Sequence, residues 1–333
     1  MLLSDPTGHL GLETVRRRHR RDTPPDPSPA APGTRPAPQP RTLTASPAAP
    51  PMLDCKMTAV IKYSEDLYKY MFIEKSDPRA NQYFLINSPG LLASILLFYY
   101  YFVYYGGRQW MENRKPFNLN TFMVVYNAIQ TVANMYIFVK GMKLLIEFDA
   151  PFSCLHLTTT TTRHDWEVVS TTYLYFLLKI SDLTDTVFMV LRKNYHQISF
   201  LHVYHHIGMV IGTWCVTKYI PGGHGAVVGI INAIVHIVMY MYYLICALYP
   251  HYKANIWWKK NITQIQVIQF VVLSIHHAAA LFNPSCNYPK VPLAIFMSQA
   301  LLMFVLFSKF YIKTYIQPKK KTASLNGNDK KQM

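Results

Sequence analysis

Three histidines stand in the pattern His202-x-x-His205-His206 inside an otherwise apolar stretch. On a helix, positions i, i+3 and i+4 fall on one face within about 100°, so the three imidazoles converge. Downstream, Asn232, His236 and Tyr240 recur at i, i+4 and i+8 and add a fourth imidazole to the inward-facing set. Upstream, Lys179, Asp182, Asp185 and Thr186 share an arc of about 120°, which lets a cation and two carboxylates pair with one another and with the histidines. Ionisable groups in apolar helices are costly, so these positions are the informative ones. Taken alone, the Lys–Asp set also reads as a buried ion-pair network. Thr263, Gln266 and Gln269, which recur every third residue, also read as amide contacts between helices.

Two chemistries suit such a set. One is iron, as in membrane desaturases and hydroxylases, which carry a similar three-histidine box but need further boxes of the HxxxH and HxxHH kinds. This chain has one box, while His224, His236, His251 and the pair His276-His277 stand apart. The ligand set is short and no metal is expected. The other chemistry is acyl transfer. It requires a nucleophile, a base and donors to a developing oxyanion, all of which His, Asn and Lys supply without metal.

The elements that must hold these residues are apolar runs. Of 333 residues, 51% are hydrophobic and only 15% charged, too few ionic groups for a soluble surface of this size. The mean hydropathy of +0.08 hides this, because it averages a polar head with strongly apolar segments. Seven runs of about 20 residues, the length that crosses a bilayer, cover roughly 88–106, 119–142, 170–190, 199–218, 224–248, 263–282 and 291–313. Lipid offers no partner to unpaired backbone groups, so the runs are helical. Residues 1–56 are a Pro- and Arg-rich extension containing Arg16-Arg17-Arg18-His19-Arg20-Arg21. No core forms from that composition. It lacks the apolar stretch of a cleavable secretory signal, and Asp5, Glu13, Asp22 and Asp26 argue against a transit peptide. The folded domain is expected over 57–316, followed by a basic tail over 317–333.

Loop charges set the orientation. Arg108, Arg114 and Lys115 follow the first run, Arg192 and Lys193 the third, Lys253, Lys259 and Lys260 the fifth, and Lys309, Lys313, Lys319, Lys320 and Lys321 the seventh. The loop after the second run instead carries Glu147, Asp149, Asp165 and Glu167 against Lys143 and Arg163. Odd-numbered exits are therefore cytosolic, as is the C-terminus, and the N-terminus lies on the other side. The sequon Asn261-Ile262-Thr263 is then cytosolic and unmodified. The net charge of +16 suggests a polyanionic partner. Because the excess sits in the head and along one membrane face, nucleic acid is not expected.

Together these features resemble the very-long-chain fatty acid elongase family, the membrane 3-oxoacyl-CoA synthases of the endoplasmic reticulum. The likeness runs from about Met57 to the C-terminus. It rests on Met111-Glu112-Asn113-Arg114-Lys115-Pro116-Phe117, Lys179-x-x-Asp182-x-x-Asp185-Thr186, Leu201-His202-Val203-Tyr204-His205-His206, Gly222-Gly223-His224-Gly225, Asn232-Ala233-x-x-His236-x-x-Met239-Tyr240, Trp257-Trp258-Lys259-Lys260 and Thr263-x-x-Gln266-x-x-Gln269-Phe270. The chain departs from the family at Asp182, where Glu is usual, and in the head over 1–51.

The resemblance implies an all-α, polytopic membrane protein with seven transmembrane helices, six of them forming an inverted barrel around an acyl-chain tunnel. The tunnel would be closed toward the lumen and open to the cytosol. The implied activity joins a long-chain acyl-CoA to malonyl-CoA, with loss of carbon dioxide, to give a 3-oxoacyl-CoA two carbons longer. His205 would be the nucleophile that carries the acyl group as an acyl-imidazole. His236 would position substrate or handle protons, and His202 and His206 would orient the cluster. Asp182 and Asp185 would fix tautomers, and Asn232 and Lys179 would donate to the thioester or enolate oxygen. Arg114, Lys115, Arg192, Lys193, Lys259 and Lys260 would meet the coenzyme A phosphates at the mouth, with Tyr240, Gln266 and Gln269 also contacting substrate.

By the same likeness, Cys154 and Cys286 would form a lumenal disulfide, while Cys215 and Cys246 pack within helices and Cys55 is unassigned. Lys330 and Lys331 resemble a dilysine retrieval signal. The implied partners are acyl-CoA, malonyl-CoA, the lipid bilayer and the reductases and dehydratase of the elongation cycle, with self-association left open and no cofactor required. An iron-dependent desaturase or hydroxylase is the enzymatic alternative and a seven-helix receptor the non-enzymatic one. Chain-length and unsaturation preference are not legible.

Overall fold

The structure is a computed structural model that describes residues 52–147, 152–157 and 160–317, with side chains from Met57 onward. The head through residue 51, and the tail from residue 318 with Lys330 and Lys331, lie outside the described residues. Every regular element among them is helical. Helix α1 (Met52–Lys69) opens directly after Pro50-Pro51, where the composition changes, and runs into a π-helical turn at Tyr70–Glu74. Helix α2 (Pro89–Tyr101) starts on a proline, which the first helical position tolerates because its N–H would be unpaired there. A π turn (Phe102–Gly106) leads from it into α3 (Gly107–Met111). Then come α4 (Asn120–Glu147), α5 (Arg163–Ser181), α6 (Leu183–Leu191), α7 (Phe200–Tyr219), α8 (Gly223–Leu248), α9 (Ile256–Phe282) and α10 (Lys290–Tyr311).

Local chemistry sets the helix ends nearest the polar residues. Thr162 and Asp165 form a reciprocal capping box at the start of α5. Ser199 accepts the His202 N–H at 3.2 Å, so α7 begins one turn before the histidine box is complete. Before α8 the chain turns through Gly222 and Gly223, at φ of +91° and +53°. A Cβ on Gly223 would meet the Tyr288 ring at 2.5 Å, so both the backbone and the space require glycine there.

Among the described residues, five helical segments are long and apolar enough to cross a membrane: Pro89–Met111, Asn120–Glu147, Gly223–Leu248, Ile256–Phe282 and Lys290–Ile316. They correspond to five of the seven runs read from the sequence. The runs at 170–190 and 199–218 fall on α5–α6 and on α7. The first is broken at Asp182 and carries Lys179, Asp182 and Asp185; the second is diluted by its three histidines. Large apolar side chains, among them Leu97, Phe98, Val132 and Phe282, are strongly exposed on the outside, a surface suited to lipid and costly in water.

Helix α4 packs on α8, α9 on α10 and α5 on α7, and the α4–α5 and α8–α9 contacts join these pairs. Helix α2 and the π turn after it pack onto α5–α7 through Leu92, Tyr99 and Val103 against Phe176, Val190 and Val203. Between α4, α5, α7, α8, α9 and α10 lies a cavity of about 600 Å³.

Candidate active site

The break between α5 and α6 puts Asp182 beside the middle of α8. Lys179 donates from Nζ to Asp182 Oδ2 at 2.8 Å, and the same ammonium lies 3.3 Å from His236 Nδ1. Asp182 Oδ2 is 3.6 Å from that nitrogen. The Tyr240 hydroxyl, one turn beyond His236, lies 3.0 Å from Asp182 Oδ1 and 2.7 Å from Asp185 Oδ2. From α4, Gln130 donates to Asp182 Oδ1 at 3.1 Å and to Ser181 Oγ at 2.8 Å. Lys179 and Asp182 are 1% and 2% exposed. A buried pair this dry persists because the remaining oxygen of Asp182 is also hydrogen-bonded.

The histidine box faces the same interior from α7. The His202 and His206 rings lie with centroids 4.3 Å apart at an interplanar angle of 46°, and the His205 and His206 rings are 5.7 Å apart. His202 Nε2 is 2.8 Å from Thr186 Oγ1, which accepts from the Tyr99 hydroxyl at 2.8 Å. Of the two carboxylates expected to fix tautomers, Asp182 stands 3.6 Å from His236 Nδ1, while His202 is held by Thr186. On α6, Thr186 turns toward α7 and α2, whereas both carboxylates turn toward α8 and serve Lys179, Tyr240 and His236. His205 and His206 have no hydrogen-bonding protein partner among the described residues.

His205 borders the cavity, as do Asn232 and Gln269. Asn232 is 2% exposed and its Oδ1 accepts from the Tyr175 hydroxyl at 2.8 Å, which leaves the amide nitrogen as the end available for donation. From His205 the cavity runs past Met209, Gly212 and Val216 of α7, with Leu273 and Phe296 opposite, to Gly222, Gly223 and His277. Its wall is apolar over most of this length, so it suits a long hydrocarbon chain with one reactive end. Gln266 contacts Met239 Sδ at 3.8 Å and is not among the lining residues. Tyr240 is fully buried in the carboxylate cluster behind His236.

The six basic residues expected at the mouth lie on the loops and helix ends of the histidine side. Lys193 donates to the Glu112 carbonyl at 3.0 Å and Phe117 N–H to Leu191 O at 3.1 Å, which ties the loop bearing Arg114 and Lys115 to the end of α6 with Arg192 and Lys193. Lys259 and Lys260 are exposed in the first turn of α9. At the opposite end Cys154 and Cys286 are joined in a disulfide. Cys246 is buried and Cys215 borders the cavity. Among the described residues, the only group of three or more whose metal-ligand atoms all lie within 4.8 Å of one another is Cys154, His224 and Cys286, and those two sulfurs are bonded to each other. The four histidines of the candidate site form no such group.

Sequence reasoning passed over Gln130, Tyr126, Tyr99 and Tyr175, which hold the named residues in place. A signal for the first existed: Asn127, Gln130 and Asn134 make a polar stripe at i, i+3 and i+7 within apolar α4, and all three are buried. The tyrosines gave none, because 24 of them are scattered through the chain.

Comparison with known proteins gives the family. The family model described as ELO: GNS1/SUR4 family matches residues 84–323. The chain is 37% identical over 274 residues to very long chain fatty acid elongase 1 of Mus musculus, covering 82% of this chain and 96% of the relative. It is 36% identical to very long chain fatty acid elongase 1 of Homo sapiens, covering 82% and 96%. To very long chain fatty acid elongase 7 of Rattus norvegicus it is 35% identical, covering 78% and 93%. A polar cluster at one end of an apolar cavity, a family match across nearly all the described helices and relatives aligned almost end to end lead to one assignment: the chain belongs to the ELO (GNS1/SUR4) family.

Proposed function

We propose that the protein is the condensing enzyme of fatty acid elongation, a 3-oxoacyl-CoA synthase for long acyl chains. The observation that carries the proposal is the position of His205 on the wall of an apolar cavity that also receives Asn232, with His236, Lys179 and Asp182 grouped directly behind. The imidazole attacks the thioester carbonyl, the acyl chain occupies the cavity, and coenzyme A leaves with the imidazole proton. Malonyl-CoA then loses carbon dioxide, and its enolate attacks the acyl carbon and displaces His205. Asn232 Nδ2 and the Lys179 ammonium stabilise the oxygen charge that develops in both steps. His202 and His206 hold the box in register.

In this reading α5–α6 and α7 also cross the bilayer, which gives seven spans. Their polar groups face the interior, where intramembrane charge is tolerated. The histidine end faces the cytosol, and Arg114, Lys115, Arg192, Lys193, Lys259 and Lys260 meet the coenzyme A phosphates as charge-assisted donors. The disulfide end faces an oxidising lumen, where such bonds persist. Both the bond's position opposite the basic loops and the loop charges support placement in the endoplasmic reticulum membrane with the C-terminus cytosolic. The dilysine at Lys330 and Lys331 would retain it there, alongside the reductases and dehydratase that process its product. An iron-dependent desaturase fits less well, since the histidines do not group as ligands.

Membranes carrying the protein should incorporate labelled malonyl carbon into a 3-oxoacyl product only when long-chain acyl-CoA is added. His205→Ala should abolish this, and incorporation at the wild-type rate by that variant would refute the assignment.

A further inference from the structure

Two carboxylates share one phenol. The Tyr240 hydroxyl is 3.0 Å from Asp182 Oδ1 and 2.7 Å from Asp185 Oδ2, yet a phenol has a single proton to donate. The second close oxygen must bring its own. Asp182 already receives Lys179 and Gln130. Asp185 has neither a cation nor an amide hydrogen-bonded to it among the described residues. The arrangement that satisfies every group protonates Asp185, which donates to Tyr240 Oη, while Tyr240 donates to Asp182. The other groups facing this cluster are the Tyr126 hydroxyl, held by Gln130 at 2.9 Å, and the Tyr243 ring, 6.0 Å from that of Tyr240. Neither supplies a charge.

The line continues inward. Asp182 Oδ2 is 2.8 Å from Lys179 Nζ, which is 3.3 Å from His236 Nδ1. Only its first member is accessible: Asp185 is half-buried, whereas Tyr240, Asp182, Lys179 and His236 are all buried, at 0%, 2%, 1% and 6% exposed. A partly wet carboxylic acid thus leads through unbroken short contacts to a dry imidazole.

We propose that Asp185, Tyr240, Asp182 and Lys179 form a proton relay that recharges the active-site imidazoles through His236. The inference rests on the condensation chemistry proposed above, whose proton balance requires such a supply. In the first half-reaction the C–S bond breaks as the C–N bond forms, and the proton lost by His205 leaves on the coenzyme A thiol. In the second, the malonyl C–CO2 bond breaks and its electron pair forms the new C–C bond to the acyl carbon. The C–N bond to His205 then returns its pair to the ring, which must take up one proton. One proton is consumed for each carbon dioxide released. The relay delivers it from Asp185, which is replenished from water. None of its members needs to touch substrate for this purpose; they position a proton for His236.

The test separates the two half-reactions. Acyl-CoA alone should release a burst of coenzyme A thiol, and malonyl-CoA should then drive turnover. Tyr240→Phe and Asp185→Asn, both nearly isosteric, should keep the burst within about twofold of wild type and slow malonyl-dependent turnover by about 10²-fold, the scale of a lost proton donor. In the wild-type protein, deuterium oxide should slow the malonyl step, which draws its proton through several transfers, more than the burst, which moves only the His205 proton. Wild-type turnover by either variant, an equal fall in burst and turnover, or a solvent isotope effect of the same size on both phases would overturn the relay. Absence of any burst in the wild-type protein would instead overturn the acyl-imidazole reading beneath it.

Discussion

Thr186 Oγ1 lies 2.8 Å from Nε2 of His202 while accepting the Tyr99 proton. The threonine keeps its own proton and a second lone pair for the imidazole; with that proton passed on, Nε2 accepts and Nδ1 carries the ring proton. A residue of α2, outside the helices that line the cavity, is thereby linked through Thr186 to the ring at the start of the histidine box. Thr186→Val keeps the shape and removes the donor. A net hydrogen bond of about 1 kcal/mol converts to roughly a fivefold loss of turnover, with little change in KM. Steady-state kinetics on the variant checks it, and an unchanged turnover number would show that His202 needs no fixed tautomer.

Tyr175 and Asn232 are expected to act as a unit, because the phenol holds the amide oxygen. Tyr175→Phe should lower turnover by about tenfold and Asn232→Ala by about 10²-fold, the scale of one lost oxyanion donor. The double variant should be no worse than Asn232→Ala alone, since the tyrosine acts through the amide. Multiplying losses would separate their roles.

Much of this architecture was legible before any coordinates. The His202, His205 and His206 spacing and the Asn232, His236 and Tyr240 stripe depend only on helical period and on the cost of polar groups among apolar ones. The partners of Asp185 were not legible. Its nearest contact is 55 positions away in sequence, and helical period alone does not say which of two adjacent helices Asp185 and Thr186 each address. The residues of the candidate site also dilute the hydropathy of α5–α6 and α7, which are not among the five described segments long and apolar enough to cross a membrane.

The disulfide closes a separation of 132 residues, and cross-links over long loops stabilise by about 2–4 kcal/mol in typical cases. Cys154→Ser should lower the melting temperature in detergent, and adding a thiol reductant to that variant should lower it no further. A melting curve indistinguishable from wild type would show that the bond does not contribute to stability.

Outside the spans, Asp165 offers a pH test. Burial pushes its carboxyl up, but hydrogen bonds from Thr160 and Thr162 and the nearby Arg79 outweigh this and hold it below its ordinary value of 3.8. A lowered folded pKa contributes stability that is fully present above the unfolded value and is lost as pH falls through the folded one. Asp165→Asn, which also weakens the capping box, should cost about 1 kcal/mol at neutral pH. The gap between variant and wild type should narrow only below about pH 4, where the unfolded carboxyl also protonates. A gap that already closes at pH 6, read from thermal melts across pH, would contradict the assignment.

The acyl-histidine is the claim on which the rest depends, and mass spectrometry of the protein tests it directly. After incubation with a saturated long-chain acyl-CoA and no malonyl-CoA, the peptide containing His205 should gain the mass of one acyl group, lose it when malonyl-CoA is added, and never gain it in His205→Ala. An acyl group found on Cys215, or none on any residue while the protein still forms 3-oxoacyl product, would contradict the account.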